Sequence, residues 1–210
     1  MKRWYKKVNR GLVLAMILIV GLVSYITVGT IQFNQQKESA KELIENYMEA
    51  VMKFAVDKRA SNIQAEQLMG TYWEKKEMRL QDGGMDKEVF QMQMDQFLEE
   101  KNENLEQLSG IMTDYQISKY GTNGALCKIE YHYDFTLSGE TVAILPTGIE
   151  VITEDLWSEY GLEAGQKAKR GEQLNANIYL TLTKDGWKIV RIGIDRYIAD
   201  EMTPAESREE

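Results

Sequence analysis

The only histidine of the chain lies among carboxylates at alternating positions. Glu130, His132 and Asp134 are two residues apart, so a β-strand would place all three side chains on one face. A histidine with two carboxylates could act as an acid–base group or contribute to a metal site. The same pattern is also typical of the solvent-facing side of a strand. The intervening Tyr131 and Tyr133 favour the second interpretation, because an aromatic face has to pack against the rest of the domain.

No other set of residues predicts a catalytic centre. Cys127 is the single cysteine, and the neighbouring Leu126 and Ile129 indicate a buried apolar side chain rather than a reactive thiol. A nucleophile needs a base within hydrogen-bond reach, which an outward-facing His132 would not provide. The glycines at 83–84 and 121–124 lack the spacing and the lysine of a phosphate-binding loop. We therefore predict no catalytic residue, no metal and no cofactor, and a protein that is not an enzyme.

The chain begins with a basic segment followed by an uncharged apolar stretch. The basic residues of segment 1–10 are Lys2, Arg3, Lys6, Lys7 and Arg10. Residues 11–33 carry no charge, and roughly 20 apolar residues suffice for a helix to cross a bilayer. The stretch is longer than the apolar core of a cleaved secretory signal, so we predict an uncleaved transmembrane helix. Because Lys and Arg favour the cytoplasmic side, the N-terminus should be cytoplasmic and the rest extracytoplasmic, in a single-pass plasma-membrane protein.

Charge limits the partners of the part beyond the predicted span. With the five basic residues of segment 1–10 set aside, twenty Lys and Arg stand against 33 Asp and Glu, a balance of about −13. Nucleic-acid binding depends on Lys and Arg that neutralise phosphates, so nucleic acid is not an expected partner. The expected partners are the lipid bilayer, through residues 11–33, and other envelope proteins or a second copy of the chain.

Apolar residues at helical spacing predict three helices after the span. The first begins at Ser39, which with Glu42 has the form of a capping box. The second covers residues 62–78. The third covers residues 86–108 and ends at Gly110. These helices precede every predicted strand of the domain.

Period-two alternation predicts an antiparallel sheet in the second half. The strands are expected at residues 114–120, 129–137, 141–145, 176–183 and 187–197. Asp185 and Gly186 between the last two supply the backbone angles of a tight hairpin. A short helix and a polar loop are expected over residues 153–171. The acidic tail, 200–210, is predicted not to fold. The sequence thus indicates an α+β class, with an N-terminal transmembrane helix and one folded domain over residues 39–199.

This order of elements resembles the nuclear-transport-factor-2-like superfamily, a cone of helices on a curved antiparallel sheet. The resemblance covers about residues 39–197 and rests on the closing hairpin at 179–190, with Trp187 just after the turn. The longer segment 141–173 departs from a compact member. The layout of basic start, single span and outer domain looks like the bitopic scaffold subunits of type IV secretion and conjugation machines. Anchored envelope proteins of Gram-positive bacteria share it, so conjugation is not singled out.

Two functions are consistent with these features. The first is a non-enzymatic, membrane-anchored module that binds or assembles envelope proteins, for which Trp157 and Tyr160 are the candidate interface. Burial of the same two residues as a lid is the competing interpretation. The second function is a small-ligand-binding or enzymatic domain that uses the mouth of the cone. The candidate pocket lining for that second function is Tyr47, Tyr72, Trp73 and Phe97.

Overall fold

The structure is a computed structural model that describes residues 10–76, 84–100, 104–159, 162, 166–199 and 203–204. The chain divides into two units, Met1–Glu38 and Ser39–Glu210. The helices are α1 (Arg10–Gln35), α2 (Lys37–Val56), α3 (Asn62–Tyr72), α4 (Lys87–Glu100) and α5 (Glu154–Glu159). The strands are β1 (Met85–Asp86), β2 (Leu105–Tyr120), β3 (Gly124–Leu137), β4 (Thr141–Leu145), β5 (Gly148–Ile152), β6 (Ala168–Thr183), β7 (Gly186–Ala199) and β8 (Thr203–Pro204).

Helix α1 is long, apolar and exposed. Its 26 residues rise about 39 Å at 1.5 Å per residue, which exceeds the hydrocarbon thickness of about 30 Å. Every side chain from Gly11 to Val28 is exposed. The hydroxyls of Thr27 and Thr30 donate to the Val23 and Ile26 carbonyl oxygens, at 2.8 and 2.9 Å, and therefore need no water. The helix is long and apolar enough to cross a membrane.

The second unit is an α+β domain in which helices pack on a curved antiparallel sheet. The sheet order is β1-β7-β6-β3-β2, with β8 paired to β6 and a separate β4–β5 pair. The aromatic side chains of β3 face the core, as predicted from the sequence. Tyr131, Tyr133 and Phe135 are at most 4 % exposed. Helix α2 supplies the facing layer, with Tyr47 and Val51 completely buried. The core therefore lies between the helices and the concave side of the sheet.

The hairpin β6–β7 confirms the clearest local prediction. Thr183 pairs with Gly186 across the turn, and Gly186 has a φ of +106°, an angle that favours glycine. Strand β4 has the predicted bounds. Strand β5 was not predicted; it pairs with β4 through the turn that contains Pro146. The short helix predicted after residue 153 is α5.

The boundaries of several predicted elements were wrong. Helix α2 begins at Lys37, so the capping box at Ser39 does not form the start of the helix. Instead, the Ser61 backbone N–H donates to Gln64 Oε1 at 2.9 Å, where α3 begins. Helix α3 ends at Tyr72, because Trp73 turns into a bridge with Ile189 of β7.

The third predicted helix also ran too far. Helix α4 ends at Glu100, whereas Leu105 and Leu108 belong to β2. Gly110 does not end a helix but lies inside β2, opposite Tyr133. Strand β2 is therefore nine residues longer at its N-terminal end than the predicted strand 114–120. Apolar residues three apart fit a helix, but a bulge between Leu105 and Gln107 gives the same spacing in this strand.

Candidate functional site: the mouth cluster

A buried ionic cluster lies where β5, β6 and β7 meet. We call Glu150, Arg170, Glu172 and Tyr197 the mouth cluster. Arg170 Nη1 is 3.1 Å from Glu150 Oε1, and Arg170 Nη2 is 3.2 Å from Glu172 Oε1. The Tyr197 hydroxyl accepts from Arg170 Nη2 at 3.2 Å and donates to Glu172 Oε1 at 2.8 Å. Two carboxylates, one guanidinium and one phenol are thus joined in a single network.

The backbone of β6 explains why these charges are buried. Inward and outward side chains alternate along β6, and Arg170 and Glu172 occupy inward positions, 8 % and 0 % exposed. Glu172 lies opposite Tyr133 of β3 and Ala199 of β7. A carboxylate removed from water in this way needs charged or hydrogen-bonding partners, which Arg170 and Tyr197 supply.

The mouth cluster is not among the residues predicted from the sequence. A polar loop is expected there up to residue 171 and a strand only from Ala176, whereas β6 begins at Ala168. A signal is present in Arg170 and Glu172, which are two residues apart and therefore share one face of a strand. A covered strand face is usually apolar, and charged residues at inward positions break that pattern. The strand period alone is therefore not enough to predict that Arg170 and Glu172 are buried.

Tyrosines around the mouth cluster are held in their neutral form. Burial is the main cause that raises the pKa of Tyr197 above its usual value, and the hydrogen bond to Glu172 adds to it. Burial also raises the pKa of Tyr133 well above 10.0, while a side-chain hydrogen bond with Thr147 opposes the rise. These phenols therefore act as hydrogen-bond donors at neutral pH rather than as bases.

The predicted pocket-lining residues form an aromatic layer between the helices and the sheet. The Tyr47 ring lies 5.6 Å from Tyr72 and 5.9 Å from Trp73, centroid to centroid. Trp73 also stacks on Phe90 at 5.3 Å. The Tyr47 hydroxyl donates to the Pro146 carbonyl oxygen at 2.7 Å. Tyr47 and Trp73 are at most 1 % exposed, whereas Tyr72 is half-buried.

Phe97, the fourth predicted lining residue, packs against a different aromatic ring. Phe97 of α4 is 2 % exposed, and its ring lies 5.8 Å from that of Phe54 on α2. The structure thus brings three of the four residues together and places the fourth against another aromatic residue. The contacts are between side chains of the domain itself, as in a packed core.

Of the two candidate interface residues, only one lies among the described residues. Trp157 of α5 is 3 % exposed, which leaves little of its surface for a partner. Its backbone N–H donates to the Thr153 carbonyl oxygen at 3.1 Å. Tyr160 lies outside the described residues, as do Lys2, Arg3, Lys6 and Lys7 of the basic segment. Arg10 is the first residue of α1.

His132 lies on the outer face of β3, as predicted. Its Nε2 is 3.4 Å from Asp134 Oδ1, and the Asp134 side chain is 66 % exposed. Glu130 accepts from Gln173 Nε2 of β6 at 2.6 Å rather than pointing to the histidine. Among the described residues no group of three or more His, Cys, Asp and Glu is arranged to hold a metal ion.

A groove of about 520 Å³ lies between α3 and α4. Its lining residues are Asn62, Glu66, Gln91, Asp95, Leu98 and Glu99. The lining is polar and acidic, and it contains none of the aromatic residues predicted for a pocket. The groove shares no residue with the mouth cluster.

Comparison with known proteins defines no family for the chain. The sequence matches no protein-family model and no curated protein. A crystal structure from Novosphingobium aromaticivorans, of a protein with an unproven assignment as an aromatic ring hydroxylase, is similar at a TM-score of 0.44 and 11 % identity. The similarity covers 79 % of this chain and 94 % of that one. A similarity of this degree is too weak to transfer a function.

Proposed function

We propose that the chain is a membrane-anchored, non-enzymatic module that binds or assembles proteins of the bacterial cell envelope. The observation that carries this proposal is helix α1, whose exposed apolar side chains call for a lipid environment. The basic segment 1–10 would hold the N-terminus in the cytoplasm, and residues 39–199 would lie outside. Within the acidic tail, 200–210, Thr203 and Pro204 pair as β8 with Lys169 and Ala168 of β6, so these two residues belong to the sheet of the domain.

The mouth cluster supports a binding module rather than an enzyme. Arg170 contacts Glu150, Glu172 and Tyr197, so the charged groups at the mouth are engaged with one another. A catalytic acid or base needs a free approach to a substrate. In this arrangement the ionic network ties three strands together, which is a structural role.

The competing function is a small-ligand site at the mouth. Tyr197 is 44 % exposed and Ile194, also on β7, is 49 % exposed, although both project from the concave side of the sheet. An apolar rim beside a polar cluster is a common form of ligand site. A ligand there would have to displace Arg170 or Tyr197 from its present partners. This cost favours the protein-binding function.

Site-specific photo-crosslinking in native membranes tests the proposal. A photoreactive residue at Lys128 samples the exposed outer face of β3, and one at Glu66 samples the exposed side of α3. We expect reproducible crosslinks from Lys128 to a defined envelope protein or to the chain itself, and the same products in a His132→Ala variant. Glu66 is the control for non-specific neighbours. The same set of non-specific crosslinked products from both positions would contradict the proposal and favour the ligand site.

A further inference from the structure

The outer edge of β2 is long and has no strand partner among the described residues, although the Tyr115 backbone N–H already donates to Asp114 Oδ1 at 2.8 Å. Strand β2 is the last in the sheet order, and no described strand pairs with its outer edge over Leu105–Tyr120. Natural proteins usually shorten, charge or cover such an edge, because its free backbone groups can pair with another chain. Between residues 107 and 118 the only charged side chain is that of Asp114. This edge therefore has little electrostatic protection.

Apolar side chains of β2 are incompletely covered. Leu108, Met112 and Ile117 face the same side as the buried aromatic residues of β3 but are only half-buried. Ile111, on the outer face, is 62 % exposed. An additional strand beside β2 would cover these side chains and extend the core outward.

A bulge gives β2 an unusual symmetry. The pairing with β3 shifts between Met112 and Asp114. As a result, Leu108 and Gly110 face inward before the bulge, whereas Tyr115 and Ile117 face inward after it. Two residues directly opposite each other in an antiparallel pair have their side chains on the same side of the sheet. A two-fold axis at the bulge satisfies this condition for the pairs on either side of the bulge, while Met112 faces inward and Thr113 is the bulge residue, which has no paired residue on β3.

The side chains match in that register. Leu108 of one copy would lie opposite Ile117 of the other, an apolar pair on the inward face. Ser109 would lie opposite Gln116, a polar pair on the outward face. Asp114 would lie opposite Ile111, so no like charges meet between residues 107 and 118. Both copies contribute the same patch, as an isologous interface requires.

We propose that the chain forms a symmetric dimer through antiparallel pairing of β2 with β2 of a second copy, with the two-fold axis between Met112 and Thr113. The dimer rests on the proposed binding function and names its partner as the chain itself. Anchoring both copies in one bilayer raises their effective concentration, which compensates for a modest pairing free energy. The two sheets would then join into one continuous sheet.

Disulfide trapping of the full-length protein in membranes tests this dimer. Thr113→Cys places a thiol beside the axis, opposite Met112 of the other copy and diagonal to its own counterpart, with the two Cα atoms within disulfide range. Ser109→Cys is the matched control on the same exposed strand, because two such thiols would lie about 24 Å apart along the pair. We expect a covalent dimer from Thr113→Cys under mild oxidation and none from Ser109→Cys. Equal dimer yields from the two variants, or no dimer from Thr113→Cys, would overturn the proposal.

Charge substitution tests the register independently. Ile111→Asp would set two carboxylates opposite each other at both symmetry-related positions, whereas Ile111→Lys would set a cation opposite Asp114. The side chain is exposed, so neither change should disturb the monomer. In the Thr113→Cys background we expect at least a five-fold loss of dimer with Ile111→Asp and full yield with Ile111→Lys. Equal yields would contradict the register.

Failure of the dimer and failure of the proposed function have different signatures. Carbonate extraction of the same membranes reports whether the chain is integral to the bilayer. A chain that resists extraction and crosslinks to another envelope protein, but gives no Thr113→Cys dimer, retains the function and overturns the dimer. A chain that is extracted contradicts the anchor, and its dimer yield then measures the β2 pairing alone.

Discussion

Arg170 joins residues of three strands in the mouth cluster. Its guanidinium contacts Glu150 of β5, Glu172 of β6 and Tyr197 of β7. Because Glu172 is completely buried, its charge depends on these partners for compensation. Removal of one member of a buried ion pair is costly, since the remaining charge is left in a low-dielectric environment.

We therefore expect Arg170→Met to lower the free energy of unfolding by about 3–5 kcal/mol. Lys41→Met is the matched control, because Lys41 forms an exposed pair with Glu45 at 3.6 Å, and such pairs contribute about 0–1 kcal/mol. Urea denaturation of the full-length protein in detergent measures both. Equal losses for the two variants would show that the mouth cluster does not stabilise the domain.

The sequence indicated the aromatic residues of the core better than the charged ones. Tyr131, Tyr133 and Phe135 alternate with polar residues, and this period is sufficient to place them inward. Arg170 and Glu172 alternate in the same way. Besides each other, their partners are Glu150 and Tyr197, which are 20 or more residues away in sequence, so local pattern could not show the complete network.

Among the secondary-structure elements, β2 and β3 approach each other closely because of Gly110. A Cβ atom added at Gly110 would collide with the Tyr131 ring and lie 2.9 Å from the His132 carbonyl oxygen. The collision involves backbone as well as a ring, so the neighbours have little freedom to move. Gly193 in β7 is also within a strand, but an added Cβ would meet nothing within 4 Å.

Gly110→Ala is accordingly expected to destabilise the domain by about 1–3 kcal/mol, as overpacking does. Gly193→Ala should be neutral or slightly stabilising, because it only restricts the unfolded chain. Thermal unfolding followed by circular dichroism compares the two proteins. An unchanged midpoint for Gly110→Ala would mean that β2 and β3 are not in such close contact.

The elements with strong local signals were predicted and those that depend on distant contacts were not. The β6–β7 hairpin follows from Asp185 and Gly186 at its turn, and β4 from its run of apolar residues. The N-terminal half of β2 was missed because its apolar spacing is also helical. Pairing with β3, which the sequence does not reveal, holds it as a strand.

For the molecule as a whole, the order of helices before strands was enough to predict the α+β class. The apolar stretch 11–33 lies within α1, and its side chains are exposed as far as Val28. A soluble helix normally buries one face, whereas this helix is exposed and is long and apolar enough to cross a membrane. The proposed function depends above all on the orientation of the chain in that membrane.

The buried cysteine makes this orientation testable. Cys127 is completely buried, and its burial raises the pKa of the thiol to about 12, so it should not react with maleimide at neutral pH. The unmodified chain therefore serves as an unreactive background. A thiol introduced at Lys184, in the β6–β7 turn, reports the position of the folded domain, and one at Lys7 reports the N-terminal segment.

Labelling of these two variants in intact spheroplasts with a membrane-impermeant maleimide measures the orientation directly. We predict rapid labelling of Lys184→Cys, and labelling of Lys7→Cys only after the membrane is permeabilised. Labelling of Lys7→Cys but not Lys184→Cys in intact cells would contradict the proposed function, because the domain would then face the cytoplasm.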